Sequence, residues 1–417
     1  MRFRYLWLFT LIGGWIAAQQ PIYLITANRL FDGEQMHTGW GITVQGNRIL
    51  KVGPVSDLQQ NGQDVVDAGD ATIIPGMIEG HSHLLLHPYD ETSWNDQVLR
   101  ESLAERIARA TIHARKTVEA GFTTVRDLGT EGAGYADIGL KQAIEKGVIT
   151  GPRMWCAGPA MVATGSYGPK GFADQVDVPQ GAIEVDGEGI IHEVRTEIGH
   201  GVDVLKIYAD YRWGRNGEAL PTFTEDEIHT AVQTAASAGR DVAAHAATKE
   251  GMLRAIRAGV RTIEHGDQVD REVLQAMLDH HVALCPTLAA PEAIFLYRGW
   301  NKGIDPDPER ITEKKAGFKL ALTMGVPIVA GGDVGVFSHG DNARELELMV
   351  EYGMAPLDVL RAVTSGNAYW LHMNNLGSLK PQYLADVVIV KGDPGQNIHR
   401  LRDITGVMKD GVWIIKP

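Results

Sequence analysis

The sequence predicts an α/β fold, a (β/α)8 TIM-like barrel with a small flanking β-sandwich domain built from both chain ends. The first observation is the length of 417 residues, which one barrel of eight βα units can fill together with a small second domain. The second is a central stretch in which short apolar runs rich in Val, Ile and Thr alternate with amphipathic helical patterns. The third is a set of short strands separated by turn signals at both ends of the chain.

Both chain ends show the pattern of a small β domain. Strands are expected over 22–27, 41–44, 48–52, 385–390, 404–408 and 412–415. Gly46-Asn47 and Asp410-Gly411 are hairpin signals between neighbouring strands. We therefore expect one β sandwich formed by residues 19–71 and 375–417, with the barrel over residues 72–374 between these two parts.

The central stretch contains eight candidate strands. They are expected over 72–78, 123–128, 153–157, 202–208, 241–245, 261–265, 282–287 and 327–333. Helices between them are expected over 101–120, 224–238, 251–258 and 342–352. Thr224 followed by Glu227 is typical of a capping box, and Gly239 stands where a left-handed C-cap is expected. The longest irregular segment, 159–181, has a length that is usually functional or mobile in a compact domain.

The N-terminus has the three parts of a secretory signal over residues 1–18. Arg2 and Arg4 precede an apolar run over 5–16, and Ala17-Ala18 follows as a cleavage site. The apolar run is shorter than the roughly 20 residues that a membrane span needs. We therefore expect an exported protein, periplasmic or secreted, that keeps no stable membrane span after processing.

Charge and cysteine content exclude several partners. The net charge of −13 leaves no broad basic face for phosphates, so nucleic acid is not an expected partner. Cys156 and Cys285 fall at the ends of candidate core strands, where a free thiol behaves as a small hydrophobe, and we expect no disulfide between them. A small-molecule partner is compatible with this composition.

Six residues of metal-ligating or reactive types stand at the ends of candidate strands, where barrel enzymes place their active sites. His81 and His83 are separated by one residue, so an extended backbone directs both imidazoles to the same side. The other four are Lys206, His245, His265 and Asp333. Each alone has a structural explanation, such as a hydrogen-bonded core histidine or a lysine whose ammonium reaches solvent. Their joint occurrence at converging strand ends predicts a metal centre.

Lys206 needs a chemical change before it can take part in that centre. An ammonium with a reference pKa of about 10.4 cannot bind a cation, but reaction with CO2 gives a carbamate that can bridge two ions about 3.5–4 Å apart. The ligands of one ion would be His81, His83 and Asp333, and those of the other His245 and His265. This set suits two divalent ions, zinc best, although Mn and Co are accepted by similar ligands. Asp333 is the candidate base, and then the acid that protonates the leaving nitrogen.

The sequence also resembles the amidohydrolase superfamily over nearly the whole chain after the signal. The matching segments are IPGMIEGHSH at 74–83, GFTTVRD at 121–127, AHA at 244–246, IEHG at 263–266 and LAD at 384–386. With KIY at 206–208 it is most similar to the binuclear, carboxylated-lysine group of imidazolonepropionase-related peptidases, which includes prolidase-like dipeptidases and ochratoxin-hydrolysing amidases. The resemblance implies cleavage of an amide or peptide bond by a metal-bridged hydroxide, and a homo-oligomer.

The resemblance also implies substrate contacts. Tyr208 is expected to polarise the scissile carbonyl or to hold a substrate carboxylate, and its structural alternative is an aromatic packed at the barrel mouth. Relatives often carry Gly-His-Gly in the loop after the third strand, where this chain has GSYG at 165–168, so Tyr167 stands in place of the histidine. His339 is expected to line the pocket. Arg126 and Asp127 are expected to form structural pairings.

Two alternatives to an Xaa-Xaa dipeptidase or N-acyl amino acid amidase, including an ochratoxin-like substrate, remain open. One is hydrolysis of a cyclic amide or lactone, because the same nucleophile attacks those carbonyls. The other is a non-catalytic barrel scaffold, although scaffolds generally lose ligands. Arg212, Trp213 and Arg215 are weaker candidates for contacting a substrate carboxylate.

Overall fold

The computed structural model describes residues 21–173 and 175–417. The predicted signal over 1–18 lies outside the described residues. No helix within the described ranges is long and apolar enough to cross a membrane.

The strands, numbered in chain order, are β1 (Ile22–Thr26), β2 (Arg29–Phe31), β3 (Met36–Thr38), β4 (Trp40–Gln45), β5 (Arg48–Pro54), β6 (Asp64–Asp67), β7 (Ala71–Pro75), β8 (Met77–Ser82), β9 (Phe122–Asp127), β10 (Arg153–Cys156), β11 (Met161–Val162), β12 (Ile183–Glu184), β13 (Val204–Tyr208), β14 (Asp210–Arg212), β15 (Ala219–Pro221), β16 (Asp241–Ala246), β17 (Thr262–His265), β18 (Ala283–Cys285), β19 (Val387–Lys391), β20 (Ile404–Lys409) and β21 (Val412–Ile415).

The α-helices are α1 (Val55–Leu58), α2 (Trp94–Leu99), α3 (Leu103–Glu119), α4 (Ala136–Glu145), α5 (Gly189–His200), α6 (Glu225–Ala236), α7 (Lys249–Ala258), α8 (Arg271–His280), α9 (Ala289–Tyr297), α10 (Glu309–Met324), α11 (Ala343–Glu351), α12 (Pro356–Arg361) and α13 (Asn367–Trp370). A π-helical turn covers Ala362–Gly366, and a 3₁₀ helix covers Ile398–Arg402. The capping box at the start of α6 is confirmed, because the Thr224 side chain accepts from Glu227 N–H while the Glu227 carboxylate accepts from Thr224 N–H.

Two sheets flank the central part, one built from the N-terminal part alone and the other from both chain ends. One has the order β5-β4-β1-β6, and the other has the order β21-β20-β19-β7-β2-β3. Their inner faces share one apolar cluster that includes Ile25 and Ile42 from the N-terminal part and Val387 and Met408 from the C-terminal part. Burial of these side chains is the main force that joins the two chain ends.

The central part is built from parallel strands alternating with helices. β10-β9-β8 form one sheet and β12-β11-β13-β16-β17-β18 another. The second to seventh predicted barrel strands are each found, within two residues at either end. Side chains such as Leu205, Ile263 and Ile256 join strands and helices in one large apolar cluster. The mixed α/β class is therefore confirmed.

The first predicted strand, over 72–78, is wrong as a single element. Residues Ala71–Pro75 form β7, which pairs antiparallel with β19 in the flanking sheet, whereas Met77–Ser82 form the first strand of the central part. Gly76 marks the crossing: its N–H donates to Asp386 O, and a Cβ there would lie 2.1 Å from Thr123 Oγ1. The continuous apolar run concealed this junction.

The eighth predicted strand, over 327–333, is also corrected. This segment forms only isolated bridges, Leu284↔Ile328 on one side and Ser82↔Val334 on the other. The regular ladder is interrupted at Gly331-Gly332, because Asp333 has a φ of +62° and a Cβ on Gly331 would lie 2.6 Å from His81 N. Among the described residues the segment links β18 to β8 without a continuous ladder.

Two further expectations concern the irregular segment after the third predicted strand and the two cysteine thiols. The segment 159–181 is irregular apart from β11, as expected, with residue 174 outside the described ranges. Cys156 and Cys285 are both buried and free, so the expectation of no disulfide is confirmed.

Candidate metal centre

The six predicted ligands lie on elements whose carboxyl ends share one side of the central part. His81 lies in β8, Lys206 in β13 and His245 in β16. His265 is the last residue of β17, and Asp333 lies in the segment that joins β18 to β8. Neighbouring parallel strands bring their C-terminal residues together, which is why positions so far apart in sequence are adjacent here.

His81, His83 and Asp333 form one group of potential metal ligands. One ligand atom from each lies within 4.8 Å of the others. The Asp333 carboxylate is 3.2 Å from His83 Nε2 and 3.6 Å from His81 Nε2. Burial raises the pKa of Asp333, but His81 and His83 lower it more, so its pKa lies below the ordinary value and the carboxylate is ionised. Two imidazoles and one carboxylate suit a divalent metal ion.

The orientation of His81 leaves one nitrogen free for a metal. Its Nδ1 is 2.8 Å from Glu264 Oε2, so we assign the proton to Nδ1, which donates to the carboxylate. Its Nε2 is buried and has no hydrogen-bond partner among the described residues. A buried imidazole nitrogen with a lone pair and no partner fits a metal ligand, and a carboxylate behind it is the usual supporting group.

Glu264 is itself held by a buried ion pair. Arg126 donates to its Oε1 at 2.8 Å and also donates to Gly80 O at 2.7 Å. Arg126 therefore has the structural role expected of it. Asp127 also has a structural role, since its carboxylate accepts from Leu84 N–H at 2.7 Å.

His245 and His265 form the second group. Their ring centroids are 4.5 Å apart, and those of His81 and His265 are 5.2 Å apart. His265 Nδ1 pairs with Thr287 Oγ1 at 2.9 Å, which orients its ring. Burial lowers the pKa of His81 to about 4 and that of His245 to about 3, so both are neutral at pH 7, the form that binds metals.

Lys206 is buried between the two groups. It is 1% exposed, its Nζ lies 5.6 Å from the centroid of the Tyr208 ring, and no carboxylate of a described residue lies within ion-pair distance. Burial lowers the pKa of its ammonium. An unpaired buried ammonium is costly, so this position favours an uncharged amine or a modified lysine.

A cavity of about 1030 Å³ opens onto the candidate ligands. His81, His83, His245, His265 and Asp333 all contribute to its lining. Tyr208 and Tyr167 line it as well, and the Tyr208 ring stacks on His245 with a centroid distance of 4.5 Å. Five of the six predicted ligands, all except Lys206, therefore line one cavity together with both tyrosines.

His339 does not line this cavity, contrary to expectation. It is buried, its Nε2 pairs with Leu86 O at 3.0 Å, and its ring stacks on His113 at a centroid distance of 4.3 Å. These contacts hold the imidazole ring in the protein interior, away from the cavity. Of the weaker candidates, Arg212 reaches the cavity, whereas Trp213 and Arg215 are not among its lining residues.

Sequence reasoning missed Glu131, which lines the same cavity. Its carboxylate accepts hydrogen bonds from the Trp94 indole at 2.9 Å and from the Tyr167 hydroxyl at 2.6 Å. No strand-end pattern marks Glu131, because it follows β9 by four residues. A Glu in the loop after a strand was the only available signal.

Comparison with known proteins decides the family. The model of the Amidohydrolase family matches residues 72–414. The chain belongs to the amidohydrolase family. Among curated proteins, this amidohydrolase is similar to an ochratoxinase of Aspergillus niger, 26% identical over 375 residues that cover 81% of this chain and 75% of that protein.

Solved structures similar to this amidohydrolase include two peptidases. A Xaa-Pro dipeptidase with methionine bound in its active site has a TM-score of 0.84 and 31% identity, covering 94% of this chain and 100% of that one. A prolidase in complex with N-methylphosphonate-L-proline has a TM-score of 0.82 and 26% identity, covering 95% and 100%. The predicted family is confirmed, and the protein is a hydrolase that acts on amide bonds, so a non-catalytic scaffold is not supported. Amidohydrolases generally use divalent metals, and the residues described above fit them.

Proposed function

We propose that the protein is an exported, binuclear metal-dependent amidohydrolase that releases the C-terminal amino acid from dipeptides or N-acyl amino acids. The observation that carries the proposal is that five candidate ligands line one cavity, among them the neutral His81 and His245 and the ionised Asp333. Lys206 is buried beside them and has no ion-pair partner among the described residues. The relatives that act on Xaa-Pro dipeptides, and the ochratoxinase by its name, support a substrate with an amide bond.

The ligand assignment follows from the two groups. One ion would be held by His81, His83 and Asp333, and the other by His245 and His265. Lys206, as an uncharged amine, would add to CO2 with loss of one proton, and the resulting carbamate would be a further anionic ligand. Zinc is the proposed metal because of the nitrogen and carboxylate ligands. When bound, the ions activate a water molecule and polarise the substrate carbonyl.

Proton transfer and substrate binding are assigned to residues that line the cavity. Asp333 takes the proton of the attacking water and delivers it to the leaving nitrogen, since its ionised carboxylate lines the cavity beside His83, at 3.2 Å from Nε2. Tyr208, stacked on His245, presents its hydroxyl to the carbonyl oxygen or to a substrate carboxylate. Arg212 and Arg298 line the cavity, and neither has an ion-pair partner among the described residues. These guanidiniums are the candidate groups for the carboxylate of the leaving amino acid.

Three structural proposals complete this function. The eight strand segments would close into a barrel, with 327–334 as the eighth, because this segment donates from Val329 N–H to Leu284 O and accepts at Ala330 O from Gly80 N–H, both at 2.9 Å. Export to the periplasm or outside the cell would follow from the signal over 1–18. A homo-oligomer is proposed from the resemblance alone.

The test is Lys206→Ala with Lys391→Met as a matched control. Lys391 is an exposed lysine at the end of the flanking strand β19, so its variant should keep the activity of the wild type on a panel of Xaa-Xaa dipeptides and N-acyl amino acids. Lys206→Ala should lose activity, and a short carboxylate such as formate or propionate should restore part of it by supplying two oxygens in the space of the side chain. Full activity of Lys206→Ala would overturn this ligand role. Turnover of cyclic amides or lactones alone would replace the proposed substrate class.

A further inference from the structure

Glu131 is a carboxylate that the proposed reaction does not use. It is 3% exposed and lines the cavity of the metal centre. Its Oε2 accepts from Trp94 Nε1–H at 2.9 Å and from the Tyr167 hydroxyl at 2.6 Å, and its Oε1 is 3.5 Å from the Tyr208 hydroxyl. Neutral donors therefore hold the group, mainly through one oxygen. The other oxygen has spare capacity as an acceptor.

The charge of Glu131 has no counter-ion within the described part of the chain. No Lys, Arg or His nitrogen lies within ion-pair distance of its carboxylate, whereas the buried Arg106 donates to its backbone carbonyl at 2.7 Å. Arg106 also donates to Thr130 O at 2.9 Å. These contacts hold Glu131 at a φ of +50°, in the left-handed region that non-glycine residues rarely adopt. The fold thus fixes this carboxylate in place and leaves its charge toward the cavity.

The position of Glu131 relative to the candidate ligands limits what can reach it. A Cβ placed on Gly129 would lie 3.4 Å from Glu131 Oε1 and 3.5 Å from His83 Cε1, so Glu131 is a neighbour of the first ligand group. Tyr208, whose hydroxyl faces Glu131, stacks on His245 of the second group. Glu131 therefore lies beside both ligand groups, within reach of a substituent next to a carbonyl held at the metal centre.

We infer that Glu131 recognises a positively charged amino group on the carbon next to the scissile carbonyl, so that the cavity prefers dipeptides with a free α-ammonium to N-acyl amino acids. The inference rests on the proposed function and narrows its substrate class. A desolvated carboxylate without a cation is costly, and an ammonium that enters with the substrate supplies the missing charge through a short, charge-assisted hydrogen bond.

The test compares Ala-Leu with propionyl-Leu, which differ only in the α-ammonium. The same comparison is made for Ala-Phe with propionyl-Phe and for Ala-Pro with propionyl-Pro. The wild-type holoenzyme should favour the dipeptide by about 10- to 100-fold in kcat/KM, mainly through KM, because a site built for a polar group rejects an analogue that lacks it. Glu131→Gln should reduce that ratio to within about threefold. Tyr167→Phe, the matched control, removes one donor to Glu131 but leaves its charge, and should keep the preference.

Equal kcat/KM for both members of a pair in the wild type, or an unchanged preference in Glu131→Gln, would overturn the inference while leaving the proposed function intact. If Glu131→Gln does not fold, the inference is decided by the wild-type ratio of kcat/KM for the dipeptide to kcat/KM for the propionyl compound. If the wild type cleaves none of these compounds, the proposed function fails, and calorimetric binding of Ala-Leu and propionyl-Leu decides the inference separately. Tighter binding of Ala-Leu supports it, and equal affinities overturn it.

Discussion

Glu264 fixes the orientation of His81, so Glu264→Gln should weaken metal binding without touching a ligand. In the wild type its carboxylate accepts from His81 Nδ1–H and from Arg126, both at 2.8 Å, and all three side chains are buried. A hydrogen bond to a charged group contributes about 1.5–3 kcal/mol. At about 1.4 kcal/mol per factor of ten, we expect metal affinity to fall about 10- to 100-fold, the range found for partners of metal-binding histidines.

The assay titrates chelator-treated protein with Zn²⁺ in competition with a chromogenic chelator. Asp386→Asn is the matched control, because Asp386 is also a buried carboxylate paired with an arginine, Arg153, at 2.9 Å. That pair lies against the flanking sheet. Removing one partner of a buried ion pair costs up to about 3–5 kcal/mol, so both variants should unfold at lower temperature when metal-free. Only Glu264→Gln should bind zinc more weakly; equal zinc affinities in Glu264→Gln and wild type, or an equal loss in the control, would refute the reasoning.

Three further predictions follow from other parts of the molecule. Removal of metal by a chelator should lower the thermal unfolding midpoint, and re-addition should restore it, since a ligand at 100 times its Kd stabilises the folded state by about 2.7 kcal/mol; an unchanged midpoint contradicts this. Arg212→Ala and Arg298→Ala should raise KM for dipeptides several-fold and leave kcat nearly unchanged, measured by initial rates, and a fall in kcat alone would remove their role in carboxylate binding. Glu197 in α5 is buried, and neither of its carboxylate oxygens has a hydrogen-bond partner among the described residues; burial raises its pKa well above 4.5. The folded state therefore binds this proton more tightly than the unfolded state, and stability falls as pH rises above the unfolded pKa, so Glu197→Gln should raise the unfolding midpoint more at pH 8 than at pH 5; a pH-independent effect would contradict it.

The strands of the central part could be predicted where apolar runs are bounded by turn residues. The run over 72–78 was misread because apolar side chains continue across two strands, and only a tertiary contact, the packing of Gly76 on Thr123, shows where one sheet ends. The segment over 327–333 was predicted as a regular strand from its apolar residues, whereas the positive φ of Asp333 and the close approach of Gly331 to His81 N interrupt the ladder and leave no signal in the local sequence. Local sequence patterns do not reveal such contacts, because the contacts join residues that are far apart in the chain.

The candidate ligands could be predicted because parallel strands align their carboxyl ends. Residues of metal-binding types at several strand ends are therefore expected to lie close together in the fold. The groups that orient and complement them could not. Glu264 meets His81 across 183 positions of sequence, and Glu131 lies in a loop whose path no local signal determines. His339 is expected from the sequence to line the pocket, yet it packs against His113 in the interior and does not line the cavity.

The central claim is that the six residues at the strand ends hold two divalent ions. It is tested most directly by the metal content of the purified wild-type protein, measured by plasma mass spectrometry beside its activity. The account predicts about two divalent ions per chain, zinc foremost, with activity that rises in proportion to occupancy. A fully active protein with one ion or none per chain would contradict it.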